Sequence, residues 1–244
     1  MATKVTFLEN SGFIVETEKE IIVFDDYKDP AHAVVKTVEH NPEKPVVFFV
    51  THNHPDHFNT DIFNLAQSSK RIYVLSNDIP SREVHDSMPV DWMSAGDIIE
   101  GIFDDIKAKA YGSTDAGVSY LITLGDGTTI FHAGDLNYWH WENESTSREV
   151  EKAHSEYKTI LGRIASENKR FDIAFFPVDV RMGANCAAGA EEFLEAIDVK
   201  NFFPMHFKGS YEEACDFENY RLPESVAERT TMHCLHKPGE HVTL

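Results

Sequence analysis

Apolar residues come along this chain in short runs separated by polar punctuation. KPVVFFVTH carries five consecutive apolar residues, Val46 to Val50, between a Lys-Pro pair and Thr51-His52, which predicts a strand buried on both faces. RIYVLS predicts another, and IKAKAYGS a weaker, alternating one. The opening reads as two strands around a polar tip, KVTFLENSGFIVET and IIVFDD separated by EKE. GVSYLITLGDGTTIFHAGD predicts a hairpin, because Asp126-Gly127 is a strong turn signal between two apolar stretches. FDIAFFPVD and KNFFPMHF complete the strands.

Helices are predicted between these runs. Residues 58–70 place Ile62, Leu65 and Ala66 on one face. Over 147–168, Val150, Ala153, Tyr157, Ile160, Leu161 and Ile164 recur at helical spacing behind the capping-box residues Thr146 and Glu149. A third helix fits 190–198, with Phe193, Leu194 and Ile197. Strands come first, mostly in hairpins, and then alternate with helices. The expectation is an α/β fold of sheet layers covered by helices, in one domain spanning 1–244.

Composition narrows this picture modestly. The chain has 244 residues, 42% hydrophobic and 26% charged, enough for a substantial core. No apolar run approaches a membrane span, and the start lacks a signal-peptide pattern, so a cytoplasmic protein that does not engage a membrane is expected. Cys186, Cys215 and Cys234 are odd in number and scattered, which reads as free thiols in a reducing compartment. Forty-one acidic against 22 basic side chains give a net charge of −19. Such a surface repels a phosphate backbone, so long nucleic acid is not an expected partner, while a local pocket can still hold one small anion.

The candidate chemistry collects at the ends of the apolar runs. IIVF ends in Asp25-Asp26, VVFFV in Thr51-His52, TIFHA in Gly134-Asp135, IAFFPV in Asp179 and NFFPM in His206. Open α/β sheets bind ligands at the carboxyl ends of their strands, where loops converge on a crevice. One of these ends is dense: THNHPDHF puts His52, His54, Asp56 and His57 within six residues. His52 and His54, two apart, point the same way if the strand direction persists, and Pro55 then turns the chain. Imidazoles and carboxylates without thiolates suit Zn²⁺, and also Mn²⁺ or Fe²⁺.

THNHPDH resembles the H-x-H-x-D-H signature of the metallo-β-lactamase superfamily, FHAGD its later glycine-aspartate motif, and FPMHF its last histidine motif. IIVFDD resembles the early strand whose Asp, here Asp25, supports the metal loop. The motifs come in the family's order over residues 5–207, and the later ones look most like the compact hydrolases related to ascorbate-phosphate lactonase. The resemblance implies a four-layer αββα sandwich holding one or two divalent metal ions, zinc first among them. It implies that His52 and His54 hold a first metal, that Asp56, His57 and His206 hold a second, and that Asp135 bridges both. A water or hydroxide on the metals is then the nucleophile, and Asp56 orients it and shuttles its proton.

The chain departs from the family where another first-site histidine is usual. AYGSTDAGVSY has none, so the first metal has fewer ligands, or Asp115, Ser113 or a group such as His140 substitutes; Asp115 is the preferred replacement. A carboxylate there tilts the site toward Mn²⁺ or Fe²⁺. His132 reads equally as a brace for a ligand or as a core residue. Tyr138, Trp139, His140 and Trp141 follow Asp135 either as a packed aromatic loop or as substrate contacts. Arg181 either clamps an anionic substrate or neutralises Asp179. His233, His236 and His241 read as surface residues. G-x-S-x-G, P-loop and G-x-G-x-x-G signatures are lacking. The expected function is metal-dependent hydrolysis of an ester bond, lactone or phosphoester, in a small anionic substrate. The rival reading is a non-catalytic metal-binding sensor or scaffold on the same fold.

Overall fold

The computed structural model describes residues 2–141, 144–209, 211–217 and 220–244. The chain divides into two compact units, Met1–Ser94 with Leu235–Leu244, and Ala95–Cys234. The first begins with strands β1 (Lys4–Phe7), β2 (Phe13–Glu16) and β3 (Ile21–Phe24), helix α1 (Ala33–His40), and strands β4 (Val46–Val50), β5 (Arg71–Ser76) and β6 (Val90–Met93). The second contains β7 (Ile98–Ile102), β8 (Ile106–Gly112), β9 (Val118–Thr123), β10 (Thr129–His132), α2 (Ser147–Glu167), β11 (Arg170–Pro177), α3 (Ala188–Ala196), β12 (Asp198–Met205) and β13 (Thr231–Met232). The chain then returns to the first unit with β14 (His241–Thr243).

Each unit is built on one mixed sheet. The first runs β14-β1-β2-β3-β4-β5-β6 and the second β13-β12-β11-β10-β9-β8-β7. In the first, β14, β1, β2 and β3 pair antiparallel and β3 to β6 parallel. In the second, β7 to β10 pair antiparallel and β10 to β13 parallel. Parallel pairing explains the unbroken apolar runs, because VVFFV and most of RFDIAFFP are buried on both faces. It also gathers the carboxyl ends of neighbouring strands at one rim. The core of the first unit packs Val23, Phe48, Tyr73 and Leu75 with Val34 of α1; that of the second stacks Phe131, Phe171 and Phe193.

Several predicted elements are shifted or absent. The first run is two strands, because Asn10 adopts a left-handed φ of 52° and Leu8 N–H bonds back to Gly12 O at 2.9 Å. Residues 58–70 contain only a 3₁₀ turn, Thr60–Asn64. There the Asn59 side chain accepts the Asp61 N–H at 3.0 Å, a local bond that competes with a helix, and Ala66 has a positive φ of 50°. The third helix lies at 188–196, and Asp198 already belongs to β12. The long helix matches its prediction, with both halves of the Thr146/Glu149 capping box formed and Tyr157, Leu161 and Ile164 buried. Cys215 and Cys234 form a disulfide with Cα atoms 5.5 Å apart, against the reading of three free thiols. The fold brings them together across 19 residues that carry no local pairing motif.

Candidate metal centre

In the first unit, the parallel strands β3, β4 and β5 deliver Asp25, Thr51-His52 and Asp78 at their carboxyl ends. After His52 the chain closes a tight turn, His57 N–H and Phe58 N–H both bonding to His54 O at 3.0 and 2.9 Å. Asp78 Oδ2 accepts the N–H of Asn53 at 3.0 Å and holds that turn to β5. The three imidazoles converge: the His52 ring lies 4.5 Å from that of His54 and 4.1 Å from that of His57.

Asp25, fully buried with a positive φ of 41°, organises this cluster. Its Oδ1 accepts Thr51 N–H at 2.8 Å, and its Oδ2 accepts the Thr51 hydroxyl and His57 Nδ1, each at 2.7 Å. The His57 proton therefore sits on Nδ1 and the lone pair on Nε2, the tautomer a metal ligand needs. The same logic reaches His52. The only hydroxyl proton of Thr51 goes to Asp25, so at His52 Nδ1, 3.0 Å away, Thr51 Oγ1 accepts, and the lone pair again falls on Nε2. That Nε2 lies 3.0 Å from His54 Nδ1, near the ~3.3 Å expected of two nitrogens on one tetrahedral ion. Asp56, half-buried, takes a 3.3 Å bond on Oδ2 from Asn10 Nδ2, which also reaches Asp56 O at 3.4 Å.

In the second unit, the neighbouring strands β10, β11 and β12 lead at their carboxyl ends into Asp135, Asp179 and His206. The register Pro177↔Met205 sets the two strand ends side by side. His206, 4% exposed with a positive φ of 65°, bonds through Nδ1 to Asp179 Oδ2 at 3.0 Å, and its Nε2 lies 3.4 Å from Asp135 Oδ1. Burial acts to raise the pKa of Asp179, but the Arg181 guanidinium and His206 outweigh it and hold the group well below the usual carboxylate range. A buried carboxylate thus fixes a histidine tautomer in each unit, Asp25 for His57 and Asp179 for His206.

The loop after Asp135 packs around it. Trp139 donates Nε1–H to Asp135 O at 3.0 Å and sets its ring edge-on to His206, with centroids 5.6 Å apart. Trp141 stacks on Trp139, and Arg181 lies over Trp141 at 5.4 Å. His132, fully buried, accepts the Gly134 N–H at 3.2 Å and so braces the turn that carries Asp135. Arg181 grips both Asp179 oxygens, the neutralising alternative, although its side chain remains 47% exposed. His140 lies beside Tyr138, centroids 5.6 Å apart. Asp115 is exposed and lines an open cavity with Ser113, Thr114 and, from α2, Ser155, Glu156, Thr159 and Ile160. Its neighbour Thr114 bonds to Asn137 O at 2.6 Å and Asp135 O at 3.3 Å. His233, taken for a surface residue, is half-buried, stacked on Phe203 and bonded to Asn201 at 2.9 Å; His236 and His241 are exposed.

Asn10, Asp78 and the pairing of Asp179 with His206 escaped the sequence reading. Asn10 had a signal, since Asn-Ser-Gly between apolar runs marks a turn with positive φ. The Asp179 pairing follows once β11 and β12 are known to be parallel neighbours. The donor set fits a divalent metal: buried imidazoles with fixed tautomers and carboxylates, without thiolate.

The architecture is that of the metallo-β-lactamase fold, as expected. The chain aligns over 99% of its length, with a TM-score of 0.59 and 11% identity, with a metallo-β-lactamase-fold protein of Bacillus subtilis, covering 99% of it. It aligns over 100% of its length, with a TM-score of 0.64 and 16% identity, with a metallo hydrolase of the archaeon Ignicoccus hospitalis, covering 99% of that chain. In sequence it is similar to a UPF0173 metal-dependent hydrolase of Thermococcus kodakarensis, 27% identical over 258 residues and 99% of each chain. No family model matches the chain.

Proposed function

We propose that the protein is a metal-dependent hydrolase that cleaves an ester bond, lactone or phosphoester, in a small anionic substrate. The observation that carries this reading is the carboxylate-fixed histidine found in each unit, Asp25–His57 and Asp179–His206. Buried carboxylates that set imidazole tautomers favour a working metal site over a scaffold that has lost its metal, and the relatives' name favours catalysis over sensing. The motif order supports it too. We assign as metal ligands His52, His54, Asp56 and His57 of the first unit and Asp135 and His206 of the second, with Asp115 as the substitute for the missing first-site histidine.

A divalent ion held by these residues would acidify a water at neutral pH and would polarise the oxygen under attack. The chain's own residues do the rest. Asp56, held by Asn10, orients the attacking water and takes its proton. Asp25 and Asp179 keep His57 and His206 in ligand tautomers. Arg181, exposed on one side, and His140 are assigned to the anionic end of the substrate. The net charge of −19 argues against long nucleic acid as substrate. Imidazole and carboxylate donors favour zinc, with manganese or iron as alternatives.

The test is hydrolysis of a panel of small anionic lactones and phosphoesters by the wild type and by Asp56→Asn. Turnover by the wild type and a loss of ~10²-fold or more in the variant is the expected result. Equal turnover by both removes Asp56 from the proton path, and no turnover of any ester returns the sensor reading to first place.

A further inference from the structure

The first unit has a second polar feature that the hydrolytic reading does not use. Asp26, one residue past Asp25, is only 6% exposed, yet among the described residues its side chain has no hydrogen-bond or ion-pair partner. It lines a cavity of about 330 Å³ with Asp29, Asn59 and Asp61. Asp29 Oδ2 accepts Val34 N–H at 2.8 Å, whereas its Oδ1 is buried without a partner among the described residues. Asn59 is already engaged, accepting Asp61 N–H and donating to Tyr27 O at 3.2 Å, so it ties the walls together. Val35, Ile62 and Leu65 supply an apolar wall.

The charges around the cavity are unbalanced. Lys28 and His32 lie exposed at its rim, and Lys28 forms no ion pair among the described residues. Burial, and then the nearby Asp29 and Asp61, push the Asp26 carboxyl up to about 7. A buried carboxylate without donors is costly, and a cationic donor offsets that cost directly.

We propose that this cavity binds a small organic cation, an ammonium group on a short apolar body. The volume suits a small molecule rather than a bare ion, and the wall of Val35, Ile62 and Leu65 suits a hydrocarbon stem. An ammonium offers three N–H donors, enough for Asp26, Asp29 Oδ1 and Asp61. The cation pairs with ionised Asp26, so binding tightens as pH rises through 7. None of the three aspartates is an assigned metal ligand, so this site stands or falls apart from the hydrolytic one.

The test is calorimetric titration of the full chain with n-butylammonium and 1,4-diaminobutane, against 1-butanol and Mg²⁺. Saturable binding of an ammonium probe but not of butanol is expected, weakened roughly tenfold or more by Asp26→Asn. Asparagine matches the protonated carboxyl in shape, so the variant keeps its fold. Asp61→Asn, at an exposed position, weakens binding independently. Absence of ammonium binding, equal binding by Asp26→Asn, or binding of Mg²⁺ alone overturns the proposal.

Discussion

Asp25 accepts hydrogen bonds from Thr51 N–H, the Thr51 hydroxyl and His57 Nδ1, and through them sets two imidazole tautomers. Asp25→Asn therefore leaves the ligands in place but unfixes their protons. Metal affinity should fall 10–100-fold, as read by chelator competition, and an unchanged affinity would show that the ligands orient themselves. Asp26, its neighbour, governs a pH dependence. Its folded pKa, about 7, exceeds the ordinary aspartate value of 3.8, so between those values the folded state keeps a proton that the unfolded chain has released. The contribution is harmless below pH 4, destabilises increasingly toward pH 7 and is constant above. Asp26→Asn should gain stability over the wild type across that window, by as much as roughly 4 kcal/mol, in urea denaturation at stepped pH. A difference independent of pH would mean that Asp26 does not titrate there. The histidine cluster was legible because its members are adjacent in sequence. Asn10 was not, because its partner Asp56 lies 46 residues away and only the folded turn brings them together.

Among the elements, those with a strong local signal matched their predictions. The Thr146 capping box set the start of α2, and Asp126-Gly127 set the hairpin β9–β10. Residues 58–70 misled because Ile62 is a core residue of the turn and Leu65 and Ala66 pack against the same core beyond it, a spacing that imitates one face of a helix. Gly189 shows how one element positions another. A Cβ there would meet Asn137 Oδ1 at 2.0 Å and Tyr138 N at 2.9 Å, in the loop that follows Asp135. Gly189→Ala should cost about 1–3 kcal/mol in thermal unfolding and displace that loop; a neutral substitution would show that the loop yields without cost. The Cys215–Cys234 bridge closes a separation of 19 residues. Its loss in Cys215→Ser should cost about 2–4 kcal/mol, measured against the wild type under non-reducing conditions. An equal stability would remove it as a structural tie.

At the scale of the whole molecule, the order of the motifs carried more information than any single one. Asp25, His52 to His57, Asp135 and His206 each leave the carboxyl end of a strand, and parallel pairing in two separate sheets explains why. The strand-end placement of these residues was readable in the sequence. What takes the place of the usual first-site histidine was left open between Asp115, Ser113 and His140, because the candidate Asp115 belongs to an exposed loop whose sequence does not constrain where the carboxylate points. Among the described residues no helix is long and apolar enough to cross a membrane.

The central claim is that hydrolysis depends on a bound divalent metal. The most direct measurement is metal content per chain, resolved by element, with ester hydrolysis followed in parallel before and after chelation. One or two divalent ions per chain are expected, lost together with activity on chelation, restored by the metal and absent from His52→Ala. A chain that takes up no zinc, manganese or iron, or that hydrolyses the ester undiminished when metal-free, would contradict it.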